Sequence, residues 1–137
     1  MRVPGLTTLA SNHGPRDTMN RLETAVKAKG MTVFARVDHA AGADSVGRSL
    51  PPTEVLIFGN ANAGTPLMQS VRTIAIDLPL KAMVWQDPAG PTWLCYNDPA
   101  WLAARHGLDA TTDAVIAQTT RVLDEIAKAA TDAAAED

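Results

Sequence analysis

A change of periodicity at Gly30 constrains this chain more than any other feature of its sequence. Before it, Met19, Leu22 and Val26 recur at three- and four-residue steps, which places them on one face of a helix. Pro15 suits the first helical position, where a missing N–H has no partner to lose. Lys27 and Lys29 stand in the last turn, where positive charge complements the helix dipole, and Gly30 can close the helix in a left-handed conformation. From residue 31 to residue 38 the period becomes two. Val33, Ala35 and Val37 are expected on one side of a strand, with Phe34, Arg36 and Asp38 on the other.

The rest of the chain divides in the same way. Residues 6–10 form a short strand. A polar segment, 39–52, holds a helical turn near 43–46, and 54–58 reads as a buried strand around Val55, Leu56 and Ile57. Residues 59–64 (two glycines, two asparagines, two alanines) are expected to be a loop. Thr65 then caps a short helix with Pro66 at its first position and Leu67, Met68 and Val71 on its apolar face. Asp87-Pro88-Ala89-Gly90 is a turn between strands 80–86 and 92–96. Asp98-Pro99 restarts a helix that Gly107 ends, and Asp109 caps a last helix faced by Val115, Ile116, Thr119, Val122, Leu123 and Ile126. The tail 129–137 is expected to fray. The resulting expectation is one α+β domain in the order strand, helix, strand, strand, short helix, strand, strand, helix. Its mostly antiparallel five-stranded sheet carries the helices on one face, with the four later strands as a meander. A sheet whose second face is partly apolar needs a cover, so a homodimer is expected.

Composition narrows the function classes. The 137 residues, 46% hydrophobic and 20% charged, describe one globular core. Twelve basic against fifteen acidic residues give a net charge of -3, which disfavours a nucleic-acid partner, since phosphate binding runs on an excess of cations. No apolar stretch approaches the ~20 residues of a membrane helix, so no membrane partner is expected. Cys95 is the sole cysteine, which precludes an internal disulfide, and no secretory apolar segment follows Met1. A cytoplasmic location is the expectation.

Two motifs offer chemistry. Gly59 and Gly64 with Thr65 have the spacing of a phosphate-binding loop between strand and helix, where backbone N–H groups and a helix start attract an anion. The lysine that should follow the second glycine is missing, so nucleotide hydrolysis is set aside. Anion or polar-ligand binding by Asn60, Asn62, Gly64 and Thr65 stays open beside a plain turn. The second motif is Asp38-His39 at a strand end, where His39 is a candidate general acid/base. His13 and His106 are isolated in sequence, and Cys95 has no cysteine at ligand spacing, so no metal site is readable and no cofactor is selected. Cys95 suits a small buried hydrophobe. Trp85 and Trp93 lie on the hairpin, where they can face the core, a cavity or an interface.

Several stretches, in order, resemble a bacterial and archaeal family known as domain of unknown function 302. They are GMTVFARVDHAA from residue 30, EVLIFGN from 54, AGTPLM from 63 and LPLK from 78, followed by YNDP from 96. The resemblance covers residues 5–108. It implies an α+β fold similar to that of the TATA-box-binding protein, often as a homodimer, and supplies no catalytic residues. The leading expectation is a small homodimeric module that binds a small molecule or ion near the 60–65 loop and Asp38-His39, brought together at one end of the sheet. The alternatives are a small-substrate enzyme with His39 as acid/base, and an interaction domain without ligand.

Overall fold

The computed structural model describes residues 3–132. Its strands are β1 (Leu6–Ser11), β2 (Thr32–Asp38), β3 (Thr53–Gly59), β4 (Leu80–Gln86) and β5 (Thr92–Asn97). Its helices are α1 (Pro15–Ala28), α2 (His39–Ser45), α3 (Ala61–Ser70), α4 (Pro99–His106) and α5 (Asp113–Thr131), with 3₁₀ segments at Arg72–Asp77 and Ala110–Thr112. The strands form one sheet in the order β1-β5-β4-β3-β2, antiparallel at every pairing. The later strands are the expected meander, and β1 closes the far edge against β5.

Alternation fixes which residues meet the helices. Leu56 and Phe58 of β3, Ala82 and Val84 of β4, and Leu94 and Tyr96 of β5 share one face. That face packs on Met19, Leu22 and Val26 of α1 and on Leu123, Ile126, Ala127 and Ala130 of α5. Each fully buried Leu, Phe or Met side chain contributes about 1.5–3 kcal/mol, so this layer carries most of the stability. A second cluster of Leu67, Ile74 and Leu102 joins α3, the first 3₁₀ segment and α4.

Four local expectations are corrected. Val33, Ala35 and Val37 do not share a side, because a bulge at Phe34 shifts the register: Val33 pairs with Phe58 but Ala35 with Ile57. Val33 therefore joins the helix-side core, while Ala35 and Val37 point to the opposite face. The stretch 59–64 is not a loop beyond Asn60; α3 begins at Ala61 and carries Pro66 inside it. Asn60 is the cap that wins, its side chain accepting the Asn62 N–H at 2.8 Å, and the two alanines that follow suit a helix. The helical turn expected near 43–46 is instead α2, capped by Asp38 through the Ala41 N–H. Finally, α5 continues to Thr131, with Ala130 and Thr131 fully buried, so the tail is packed at its start. The expected fraying of 133–137 lies outside the described residues.

The face opposite the helices brings together Ile57 and Val55 of β3, Met83 and Trp85 of β4, and Trp93 and Cys95 of β5. Trp85 and Trp93 pair across the strands and stack, with ring centroids 6.5 Å apart. Of these six only Cys95 is fully withdrawn from solvent.

Candidate functional site

The main concavity forms where β3 runs into α3. Gly59 ends the strand buried against its neighbours, and an ideal side chain there would stand 3.5 Å from Pro79 and 3.8 Å from the Phe34 ring. The bulge turns Phe34 out of the alternation, and its ring is 60% exposed, at a rim rather than in the core. The first turn of α3, the Leu78-Pro79 segment with its cis peptide, and Gln118, Thr119 and Val122 of α5 complete the walls. The cavity, open on one side, has a volume of about 490 Å³, within the range of small-molecule sites.

Its lining is chiefly apolar: Met31, Leu67, Met68, Leu78, Leu80 and Val122 supply most of it. Lys29, Asn60, Thr65, Gln118 and Thr119 are the polar members. The Thr119 hydroxyl is committed to the Val115 carbonyl at 2.8 Å, and Gln118 accepts from Arg121. Lys29 donates to Glu125 at 3.2 Å in an exposed pair.

Of the residues singled out in the sequence, Asn60, Gly64 and Thr65 line this space and Asn62 does not. Asp38 and His39 are elsewhere. The β2–β3 register sets Thr32 beside Gly59 and Asp38 beside Glu54, so His39 leaves the opposite end of the ladder. Five strand steps at about 3.3 Å each separate the two ends by roughly 17 Å, too far for one small ligand. The expected joint site of His39 with the 60–65 segment is therefore incorrect. The long 39–52 segment did not fold back along the sheet; it formed α2 at its own end, where His39 is exposed.

The other histidines, isolated in sequence, are paired in space. His106 places Nε2 2.5 Å from Asp77 and Nδ1 2.9 Å from the Thr73 hydroxyl, while Arg105 donates to both oxygens of Asp77. Burial works to raise the Asp77 carboxyl, but the His106 hydrogen bond and the Arg105 charge outweigh it and hold the group below its usual range. This cluster ties the 3₁₀ segment behind the cavity to α4. His13 sits between Asp132 at 2.6 Å and Asp17 at 3.3 Å, fastening the end of α5 to the start of α1. Arg36 reaches from β2 to Glu54, Glu23 and Asn20. Among the described residues, no group of three or more His, Cys, Asp or Glu side chains has an arrangement that could hold a metal ion. Burial pushes the Cys95 thiol up to about 11, which makes it a packing group rather than a nucleophile.

Comparison with known proteins decides the family. The family described as "Domain of unknown function DUF302" matches residues 7–126, nearly the whole chain. This chain belongs to the DUF302 family. A solved DUF302 protein, an uncharacterised conserved protein from Bacillus stearothermophilus, superposes with a TM-score of 0.82 at 19% identity, over 93% of this chain and 99% of that one. The fold is thus shared at low identity. Two curated proteins, each named fluoride-specific ion channel FluC 1, are 52% identical to this DUF302 chain over 112 residues. They come from Brucella suis biovar 1 and Brucella abortus biovar 1. The match spans 82% of this chain but only 44% and 42% of theirs, less than half of each relative. Among the described residues of the DUF302 chain, no helix is long and apolar enough to cross a membrane.

Proposed function

We propose that this DUF302 chain is a small-molecule-binding module. The observation that carries the reading is the cavity of about 490 Å³ between α3, α5 and the bulged end of β2, apolar in its walls and polar at a few points. Asn60, Gly64 and Thr65 belong to it; Asp38 and His39 stand outside by position. Its lining includes no carboxylate, histidine or cysteine, which favours binding over turnover. The test uses Nile red, a neutral dye that brightens in apolar surroundings. Saturable one-to-one binding is expected, and Ala63→Phe, which fills the cavity from α3, should abolish it while the circular dichroism stays native. Dye binding that is unsaturable, or indifferent to that substitution, sinks the reading.

The same proposal includes a homodimer built on the face opposite the helices, where Val55, Ile57, Met83, Trp85 and Trp93 present part-exposed apolar surface.

A second reading rests on the Brucella relatives. They are named as fluoride channels, and the part they share with this chain is 52% identical, yet among the described residues here no helix is long and apolar enough to cross a membrane. On this reading the module works outside the bilayer beside a channel and does not conduct. Fluoride efflux from vesicles carrying the Brucella suis protein should survive removal of the shared segment; loss of permeation would count against it.

A further inference from the structure

The charge of the cavity says more about its occupant than its size does. Among the residues that line it there is one cation, Lys29, and no carboxylate. The first turn of α3, with its partial positive charge, lines the same cavity through Ala61 and Ala63. Leu67 and Met68 of α3 and Val122 of α5 supply apolar lining to the same cavity. We propose that the cavity holds an amphipathic monoanion, an unbranched carboxylic acid of roughly ten carbons, with its carboxylate at Lys29 and its chain between α3 and α5. The proposal rests on the binding reading above and names the ligand class.

Size agrees with this class. At about 30 Å³ for each small group, 490 Å³ accommodates roughly fifteen, enough for such a chain and its head. Two methionines, Met31 and Met68, line the path, and their unbranched side chains adapt to a flexible aliphatic guest. Lys29 is not idle, since it donates to Glu125 at 3.2 Å. The two side chains are 38% and 58% exposed, so that pair is weak and a ligand carboxylate can replace it at small cost. Glu125 is then a competitor for the same ammonium group, and this makes the proposal sharply testable.

The experiment is calorimetric titration of the full chain with decanoate, decanol and decylamine, each below its micellar concentration. Decanoate should bind tightest and decylamine weakest, and affinity should fall about fourfold for each methylene removed from the acid. Lys29→Met should weaken decanoate about two- to fivefold and leave decanol unchanged, while Glu125→Gln strengthens decanoate by a similar factor. Lys27→Met, at the exposed end of the same helix, should do nothing. Decanol binding as tightly as decanoate, with Ala63→Phe abolishing both, overturns the anion and leaves the cavity reading standing. Tightest binding of the amine also overturns it. No binding of any of the three, together with unsaturable Nile red, defeats both. Sedimentation with phosphatidylglycerol vesicles separates a dissolved acid from a lipid surface: recovery in the supernatant is expected, and pelleting without decanoate binding would reject the free acid.

Discussion

At the scale of single residues, two positions carry more than their size suggests. Gly5 has φ +77°, and a Cβ built there would lie 2.3 Å from the Trp101 indole. Its carbonyl accepts the Asp98 N–H at 2.7 Å, so the indole lies over the junction where α4 leaves β5. Gly5→Ala should destabilise the protein by about 2–3 kcal/mol, from the left-handed backbone and the displaced ring together. Chemical denaturation measures this, and replacing Trp101 with Ala in the same chain should recover the steric part. Asp77 is the second position. Its folded carboxyl titrates below the ordinary value of 3.8, so its stabilisation is complete above that value and disappears as pH falls through the lower, folded one. Asp77→Asn should cost about 1–2 kcal/mol at neutral pH, and the gap to wild type should close in acid below about pH 4. A gap that stays constant into strong acid would mean the carboxylate charge contributes nothing. Neither the Asp77–His106 pairing nor the His13–Asp132 pairing was legible in the sequence, because the partners are 29 and 119 residues apart and nothing local marks them.

At the scale of elements, period and punctuation were informative wherever one local force dominates. The apolar steps of α1, the short apolar run of β3 and the Asp-Pro turn before β5 all led to the observed elements, because each is a strong local signal of burial or of a turn. Competition between two signals is where the reading failed. Both Asn60 and Thr65-Pro66 can open a helix, and Asn60 prevailed. Pro66, six residues into α3, therefore loses a backbone hydrogen bond instead of occupying the position it suits. The bulge at Phe34 was hidden for another reason: Val33, Ala35 and Val37 are all small and apolar, so either face accepts them. That hidden residue matters for the site, since it turns an aromatic ring toward the rim of the cavity. The cavity itself combines parts of α3, α5, β2 and the 78–80 segment, so only its 60–65 portion could be read from one stretch of chain. The expected link to His39 failed because antiparallel pairing sets the end of β2 beside the start of β3, which leaves His39 and Gly59 at opposite ends of the ladder.

At the scale of the whole molecule, the two proposed tasks, ligand binding and pairing, fall on opposite faces of the sheet. The cavity lies in the helical layer, while the stacked tryptophans and Met83 lie on the other side. Trp85→Asp should turn the proposed dimer into a folded monomer by light scattering, and Nile red binding should persist in it. A wild-type monomer at high micromolar concentration would refute the dimer. The pairing of β1 with β5 has a separate consequence. Leu6 meets Asn97, and α1 packs on α5, so β1 and α1 complete their contacts only after β5 and α5 have been made. A chain emerging from the ribosome can close the β2–β3–β4 ladders early, but β1 waits, its backbone hydrogen bonds open, until β5 has left the exit tunnel. β1 is thus secured only after the rest of the sheet has been made. A stalled chain that ends before β5 would offer an unpaired β4 edge to its neighbours, the condition in which sheets of this kind aggregate.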